Sequence, residues 1–252
     1  MTRAGLRLLA RQRNGGVMGN ADGKRQLEDC IENYGMLSRL FRLEADKGLL
    51  QDMIDSPCVD KTGNTMFDNG YGKMRSFLNS ITDVARAKSD LAIDFSLVFL
   101  GYGVDPDSAG AARARAAYPY ESFFRTGSKA LGGEHCSEVS SAYRARAFMP
   151  TKTRIIAEDH IACELEFLQY LASLERDAVQ DGDEVSAAKA RRDSLDFLRS
   201  HLLSWIGDFR NEIEKHADTS FYVGLCEMTQ GWLEIDEEAL QESLDREGGC
   251  DD

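Results

Sequence analysis

The stretch "IIAEDHIACELEFLQYLASLERD", Ile155–Asp177, decides how the rest of the chain is read. From Ile161 onward its apolar residues recur at helical spacing. Ile161, Leu165, Leu168 and Ala172 line one face, broadened by Leu171. Glu164, Gln169, Glu175 and Arg176 lie largely off that face and read as its solvent side. Asp159 and His160 stand side by side where this amphipathic helix must begin.

The same period extends in both directions. Residues 25–45, "RQLEDCIENYGMLSRLFRLEA", place Leu27, Ile31, Tyr34, Leu37, Leu40 and Phe41 along one stripe. Residues 85–100, "ARAKSDLAIDFSLVFL", gather Leu91, Phe95, Val98 and Phe99 and end at Gly101. Helices are also expected over 46–55, 68–81 and 137–148. Asp183 is a plausible N-cap for the segment that follows, one or two helices running through Trp205. Another helix is expected over 219–235, then a short acidic helix and a frayed tail. The four prolines, Pro57, Pro106, Pro119 and Pro150, fall outside the periodic segments. Segments 56–67 and 101–136 read as irregular. No repeat at solenoid period and no dividing linker occurs, so the expectation is one all-α domain over 25–244. A basic, disordered extension (1–24) precedes it and an acidic tail (245–252) follows.

Composition narrows the function. A chain of 252 residues with 42% hydrophobic side chains can bury a core. A formal charge of −13 argues against a nucleic-acid footprint and favours cationic partners. No apolar run approaches the roughly 20 residues that span a bilayer. The six cysteines, Cys30, Cys58, Cys136, Cys163, Cys226 and Cys250, form no CxxC pair, and their scatter fits a reducing cytosol. The N-terminal stretch carries Arg3, Arg7, Arg11 and Arg13 without an acid, and lacks an apolar region long enough for an export signal. One reading is that translation starts at Met18.

Catalytic motifs do not form. "GNADGKR", Gly19–Arg25, is one spacer short of a phosphate loop and has Arg where a magnesium-binding hydroxyl belongs. GxSxG and HExxH are absent. None of His135, His160, His201 and His216 has Glu three residues before it, as a di-iron bundle requires. His160 and Glu164 stand one turn apart, and with His216 they define the alternative reading, a helical metalloenzyme. For Asp159–His160 two further readings stay open. Asp near a helix start is stabilised as a cap, and the neighbouring His is then favoured neutral. Alternatively, the pair is a polar site facing a groove. The aromatic island "YPYESFF", Tyr118–Phe124, either docks on the helical body or walls a binding site.

Taken together, these segments resemble the TorD/DmsD/NarJ family of redox-enzyme maturation chaperones. "AEDHIACELEFLQYL" is similar to the family's E-P-x-D-H element running into a Leu/Glu-rich helix, with Ile156 and Ala157 in place of Glu and Pro. "DLAIDFSLVFLGYG", "YPYESFF" and the run from Asp196 to Leu233 follow in the family's order. The resemblance implies a cytoplasmic, cofactor-free, all-helical chaperone and not an enzyme. It would bind the twin-arginine leader or N-terminal segment of an apo-molybdoenzyme, a DMSO-reductase-type catalytic subunit. It would hold that client for cofactor insertion and delay its export. No nucleic acid or membrane insertion is implied, and both monomers and homodimers fit. An acidic adaptor with a different peptide ligand is a further alternative. Under the resemblance, Asp159 and Glu121 accept cationic side chains and His160 orients Asp159 or meets the peptide backbone. Phe99, Tyr118 and Tyr120 form an apolar wall. Tyr34 and Phe41 either close the groove or pack in the core.

Overall fold

A computed structural model describes residues 20–102, 116–126, 131–151, 153, 155 and 157–248. The four N-terminal arginines, Met18, Ile156 and Cys250 lie outside the described residues. The architecture is all-α, a single helical domain, with ten helices among the described residues. They are α1 (Asn20–Arg42), α2 (Lys47–Asp55), α3 (Thr65–Ser80), α4 (Val84–Leu100), α5 (Glu121–Arg125), α6 (Glu134–Ala145), α7 (Ile161–Asp181), α8 (Glu184–Ser200), α9 (Leu202–His216) and α10 (Ser220–Gly248). The five described cysteines are free thiols.

Local chemistry sets several helix starts. The carboxylates of Asp46, Asp83 and Asp183 accept backbone N–H groups from Leu49, from Ala85 and Arg86, and from Ser186. The Asn64 amide oxygen does the same for Phe67. Each satisfies donors that the first helical turn leaves unpaired. The start of α10 is held from a distance. Buried Asp94, on α4, accepts from the N–H groups of Asp218 (2.9 Å) and Thr219 (2.8 Å) and from the Thr219 hydroxyl (2.6 Å).

Two helix pairs form the frame, α1 against α7 and α3 against α10, with α8 and α9 packed on α7 and α10. The α3–α10 pair approaches backbone to backbone through glycine. A Cβ on Gly70 would lie 2.3 Å from the Met228 nitrogen, and one on Gly224 would lie 2.6 Å from the Gly70 carbonyl oxygen. On Gly231 it would lie 2.2 Å from the Phe67 nitrogen.

The structure corrects three expectations. The helix over 219–235 and the short acidic helix beyond it are one element of 29 residues. Asp236 and Leu240 are buried, and the Tyr34 hydroxyl donates to Asp236 Oδ2 at 2.7 Å, so the acidic run is partly interior. Helix α6 runs over 134–145, three residues earlier than expected. Ala147 adopts a positive φ of 53° and turns the chain, and the Phe148 N–H bonds back to the Tyr143 carbonyl. Phe148 thereby joins the rings of Tyr143, Phe167 and Tyr170 instead of extending the helix. Finally, Glu164 and Glu175 are buried, not on a solvent face.

Gly231→Ala is expected to lower stability by about 1–3 kcal/mol, because its methyl meets backbone that cannot rotate away. Gly72→Ala, on the open side of α3 with no atom within 4 Å of the added methyl, should instead stabilise by up to about 1 kcal/mol. Urea unfolding of the two variants beside the parent checks both signs.

Candidate functional site

His160 and Asp159 divide the capping work between two helices. His160 is the N-cap of α7, and its Nδ1 accepts the Ala162 N–H at 3.0 Å. That bond requires a lone pair on Nδ1, so the neutral ring carries its proton on Nε2. Burial, and then the nearby Arg42 charge, lower its pKa to about 3. Asp159 does not cap α7. Its Oδ2 accepts the Ser122 N–H at 2.8 Å, in the first turn of α5. Tyr120, at the N-cap of α5, makes no side-chain cap of its own, and Asp159 supplies the missing acceptor from 37 residues along the chain.

Two backbone bonds fasten the same segments together. The Glu121 N–H donates to the Asp159 carbonyl and the Ile161 N–H to the Pro119 carbonyl, each at 2.9 Å. Tyr120 and His160 therefore face each other as an isolated antiparallel bridge. Their rings meet edge to face with centroids 4.8 Å apart. Farther back, the Ala117 N–H donates to the Val98 carbonyl at 2.7 Å. Gly101, with φ of 67°, ends α4 where a Cβ would lie 2.4 Å from the Tyr118 hydroxyl oxygen.

Other elements converge on the start of α7. The Ala162 carbonyl accepts from the Ser38 hydroxyl (2.7 Å) and Arg42 Nη2 (3.1 Å) of α1. Arg42 also pairs with Glu166 at 2.5 Å. The Tyr143 hydroxyl of α6 donates to the Glu158 carbonyl at 3.2 Å, and the Ser140 hydroxyl donates to the Glu158 carboxylate. Burial, and then the charge of Asp159, push the Cys136 thiol up.

Three carboxyl groups with no exposed surface lie here, those of Glu121, Asp159 and Glu164. Glu121 is paired on both oxygens, with Arg125 at 2.5 Å and with His201 Nδ1 at 2.9 Å. Arg125 also donates to the Ser200 carbonyl at 2.9 Å. Glu164 is less well served. Trp205 Nε1 donates to its Oε2 at 3.3 Å, while Glu164 Oε1 has no hydrogen-bond partner among the described residues. Burial first, then the charges of Glu121 and Asp159, push the Glu164 carboxyl well up.

Of the residues picked from the sequence, the structure brings Asp159, His160, Tyr120 and Glu121 into direct contact or one bond apart. Tyr118 is half-buried beside them and packs on Phe123. Phe124 stacks on Trp205 with centroids 5.6 Å apart and meets Phe209, which in turn meets Phe99 and Phe41. Phe99 and Phe41 are thus interior rings, with no face on a furrow. Tyr34 is buried on the α10 side, against Asp236 and Trp232. Their stripe turns inward because α1 and α4 have neighbours on that face. The aromatic island docks on the helical body. The metal alternative finds its residues otherwise engaged: His160 with Ala162, Glu164 with Trp205, and His216 with Glu212 at 3.5 Å on its own helix. Sequence reasoning passed over Arg125, His201 and Trp205, whose roles depend on contacts between distant segments. For Arg125 a local sign existed, its position one turn after Glu121.

The two titrating groups give opposite pH signatures. The His160 pKa is depressed in the fold, so its contribution is present above the unfolded value near 6.5 and is lost as pH falls through that value toward 3. His160→Asn keeps a cap acceptor without the titration. The stability lost between pH 7 and pH 5 should shrink by about 2 kcal/mol, measured by urea unfolding. The Glu164 pKa is raised, so its contribution is complete below the ordinary value of 4.5 and is lost as pH rises. Glu164→Gln should gain stability over the parent by more at pH 8 than at pH 5.

A family model described as "Nitrate reductase delta subunit" matches residues 64–211, more than half of the chain. The chain is 26% identical over 167 residues to the chaperone protein TorD of Vibrio cholerae, covering 66% of this chain and 70% of that one. It is 45% identical over 56 residues to a selenate reductase assembly chaperone of Thauera selenatis, covering 22% and 28%. It is 41% identical over 61 residues to a chlorate reductase assembly chaperone of Ideonella dechloratans, covering 24% and 31%. These relatives are named for chaperone and assembly roles. A matched segment running from the start of α3 into α9, and so containing the Asp159–His160 junction, places this chain in the TorD/DmsD/NarJ family of redox-enzyme maturation chaperones.

Proposed function

We propose that the protein is a cytoplasmic chaperone for a molybdenum-cofactor oxidoreductase. It binds the leader or N-terminal segment of the apoenzyme, keeps the client competent for cofactor insertion and delays its twin-arginine export. The observation that carries this reading is the family match over residues 64–211, together with relatives named for selenate and chlorate reductase assembly. The physical chemistry supports it. A leader of this kind is basic and then apolar, and the protein has a net charge of −13. An acidic field raises the encounter rate of such a segment. At the start of α7 lie acidic side chains and aromatic rings, the chemistry that a basic, apolar peptide needs, although Asp159 and Glu121 have no exposed surface in the free protein. No helix among the described residues is long and apolar enough to cross a membrane.

Within this reading Asp159 accepts a charge-assisted hydrogen bond from the client, and Tyr120 and Tyr118 supply apolar contact. Asp159→Asn keeps an oxygen for the Ser122 N–H but removes the charge. Calorimetry with a synthetic peptide, an Arg-Arg pair ahead of a Leu/Ala/Phe-rich stretch, should show its affinity about tenfold below the parent's. Tyr120→Ala should weaken binding by a similar factor. Equal affinities in all three proteins would remove these residues from the site. A tagged protein expressed in its native host should also recover a molybdoenzyme subunit.

A further inference from the structure

Positive charge is gathered on one part of this acidic protein. From Val139 to Ala157 the chain has four basic side chains and no acidic one, against a net charge of −13 overall. Two of the four, Arg144 and Arg146, are among the described residues and stand where α6 ends beside α8. The Arg146 guanidinium pairs with Asp193 and donates to the Lys189 carbonyl at 3.4 Å. Lys189 and Asp193 are one turn apart on α8, so Arg146 lies along the ridge that carries Lys189. Arg144, Lys189 and Arg192 are exposed. Arg144 donates to the Ser141 hydroxyl and Arg192 to the Ala188 carbonyl, and among the described residues none of the three cations is within ion-pair reach of a carboxylate. By contrast, Arg39, Arg42, Lys73, Arg125, Arg191 and Arg199 each hold one.

Two apolar side chains border these cations. Met149, three residues after Arg146, is 88% exposed, and Val185, one turn before Lys189, is 81% exposed. The exposure of Met149 is not that of a loose end. On one side the Tyr170 hydroxyl donates to the Arg146 carbonyl at 3.1 Å, and Phe148 packs on the rings of Tyr143 and Phe167. On the other, the Thr151 N–H and hydroxyl donate to Glu166 at 3.0 and 2.7 Å. Chain anchored on both sides holds Met149 in water, where little backbone ordering is left for a partner to impose.

We infer that this surface docks an acidic segment of a partner protein. Carboxylates of that segment face Arg144, Lys189 and Arg192, and its apolar side chains cover Met149 and Val185. Charge complementarity selects it, because the acidic remainder of the molecule repels such a segment and steers it toward this island. The apolar pair favours a polypeptide over a nucleic acid, whose phosphates bring nothing to cover a methionine and a valine. None of these residues belongs to the leader site proposed above, and the inference does not rest on that reading.

Titration of the full-length protein with fluorescent peptides at low ionic strength tests the surface. The probe is a synthetic peptide of Glu and Leu, with a Glu/Ser peptide of equal charge and a single-stranded oligonucleotide as comparisons. Wild type should bind the Glu/Leu peptide, and added salt should weaken it. Arg144→Glu/Lys189→Glu should lower the affinity by about tenfold, as should replacement of the peptide's Leu by Ser. Met149→Ser should lower it by about threefold, with thermal melting unchanged because the side chain is in water. The Arg-Arg leader peptide should bind these variants no more weakly than wild type. Absence of Glu/Leu binding, or equal affinity in wild type and the double variant, overturns the surface. Equal affinity for the Glu/Leu and Glu/Ser peptides, or tighter binding of the oligonucleotide, overturns the acidic-and-apolar partner. Each of these failures with leader binding intact leaves the chaperone reading standing, whereas loss of leader binding in wild type alone strikes that reading and not this one.

Discussion

The exchange of backbone hydrogen bonds between residues 119–121 and 159–161 is the constraint on which the rest of the site depends. These segments belong to no common helix, and each carries donors and acceptors that its own helix cannot serve. Pro119 offers a carbonyl and no N–H, Tyr120 has no oxygen placed to cap α5, and α7 needs a cap at its first turn. Pairing the segments resolves all three needs. Buried backbone polar groups must find partners, so the two segments are tied to each other. Phe124 and Trp205 then stack because the bonds fix where the segment runs.

That solution concentrates acid in the interior. Glu121 is compensated by Arg125 and His201, whereas burial pushes the Glu164 carboxyl well up. His160 is kept neutral by burial and by the cap bond that needs its lone pair. A net charge of −13 spread over a surface costs little, but a carboxylate without partners in a core costs much. In the frame, glycine allows the close α3–α10 crossing and Asp94 holds the start of α10.

Much of this was legible in the chain. Apolar spacing marked the helical segments, with α9 left joined to or separate from α8, and Asp183 announced a cap. Asp159 and His160 stood out as a pair at a helix start, and a neutral imidazole followed from the macrodipole alone. What the spacing could not supply was which helix each of them serves. The resemblance grouped Phe99 and Tyr120 in one apolar wall, yet one is deep in the ring cluster and the other bridges to His160.

The sequence by itself determined the helical class, most of the helix segments and the Asp183 cap, because period and capping are set within a few residues of each position. Tertiary structure decided the fate of the polar faces. Glu164, Glu175 and Asp236 occupy positions that a single amphipathic helix would give to water, and each is buried because another helix covers it. It also decided that Asp159 caps a helix 37 residues away. Burial on a second face is a property of the neighbours and not of the helix, and no periodicity within one segment encodes it.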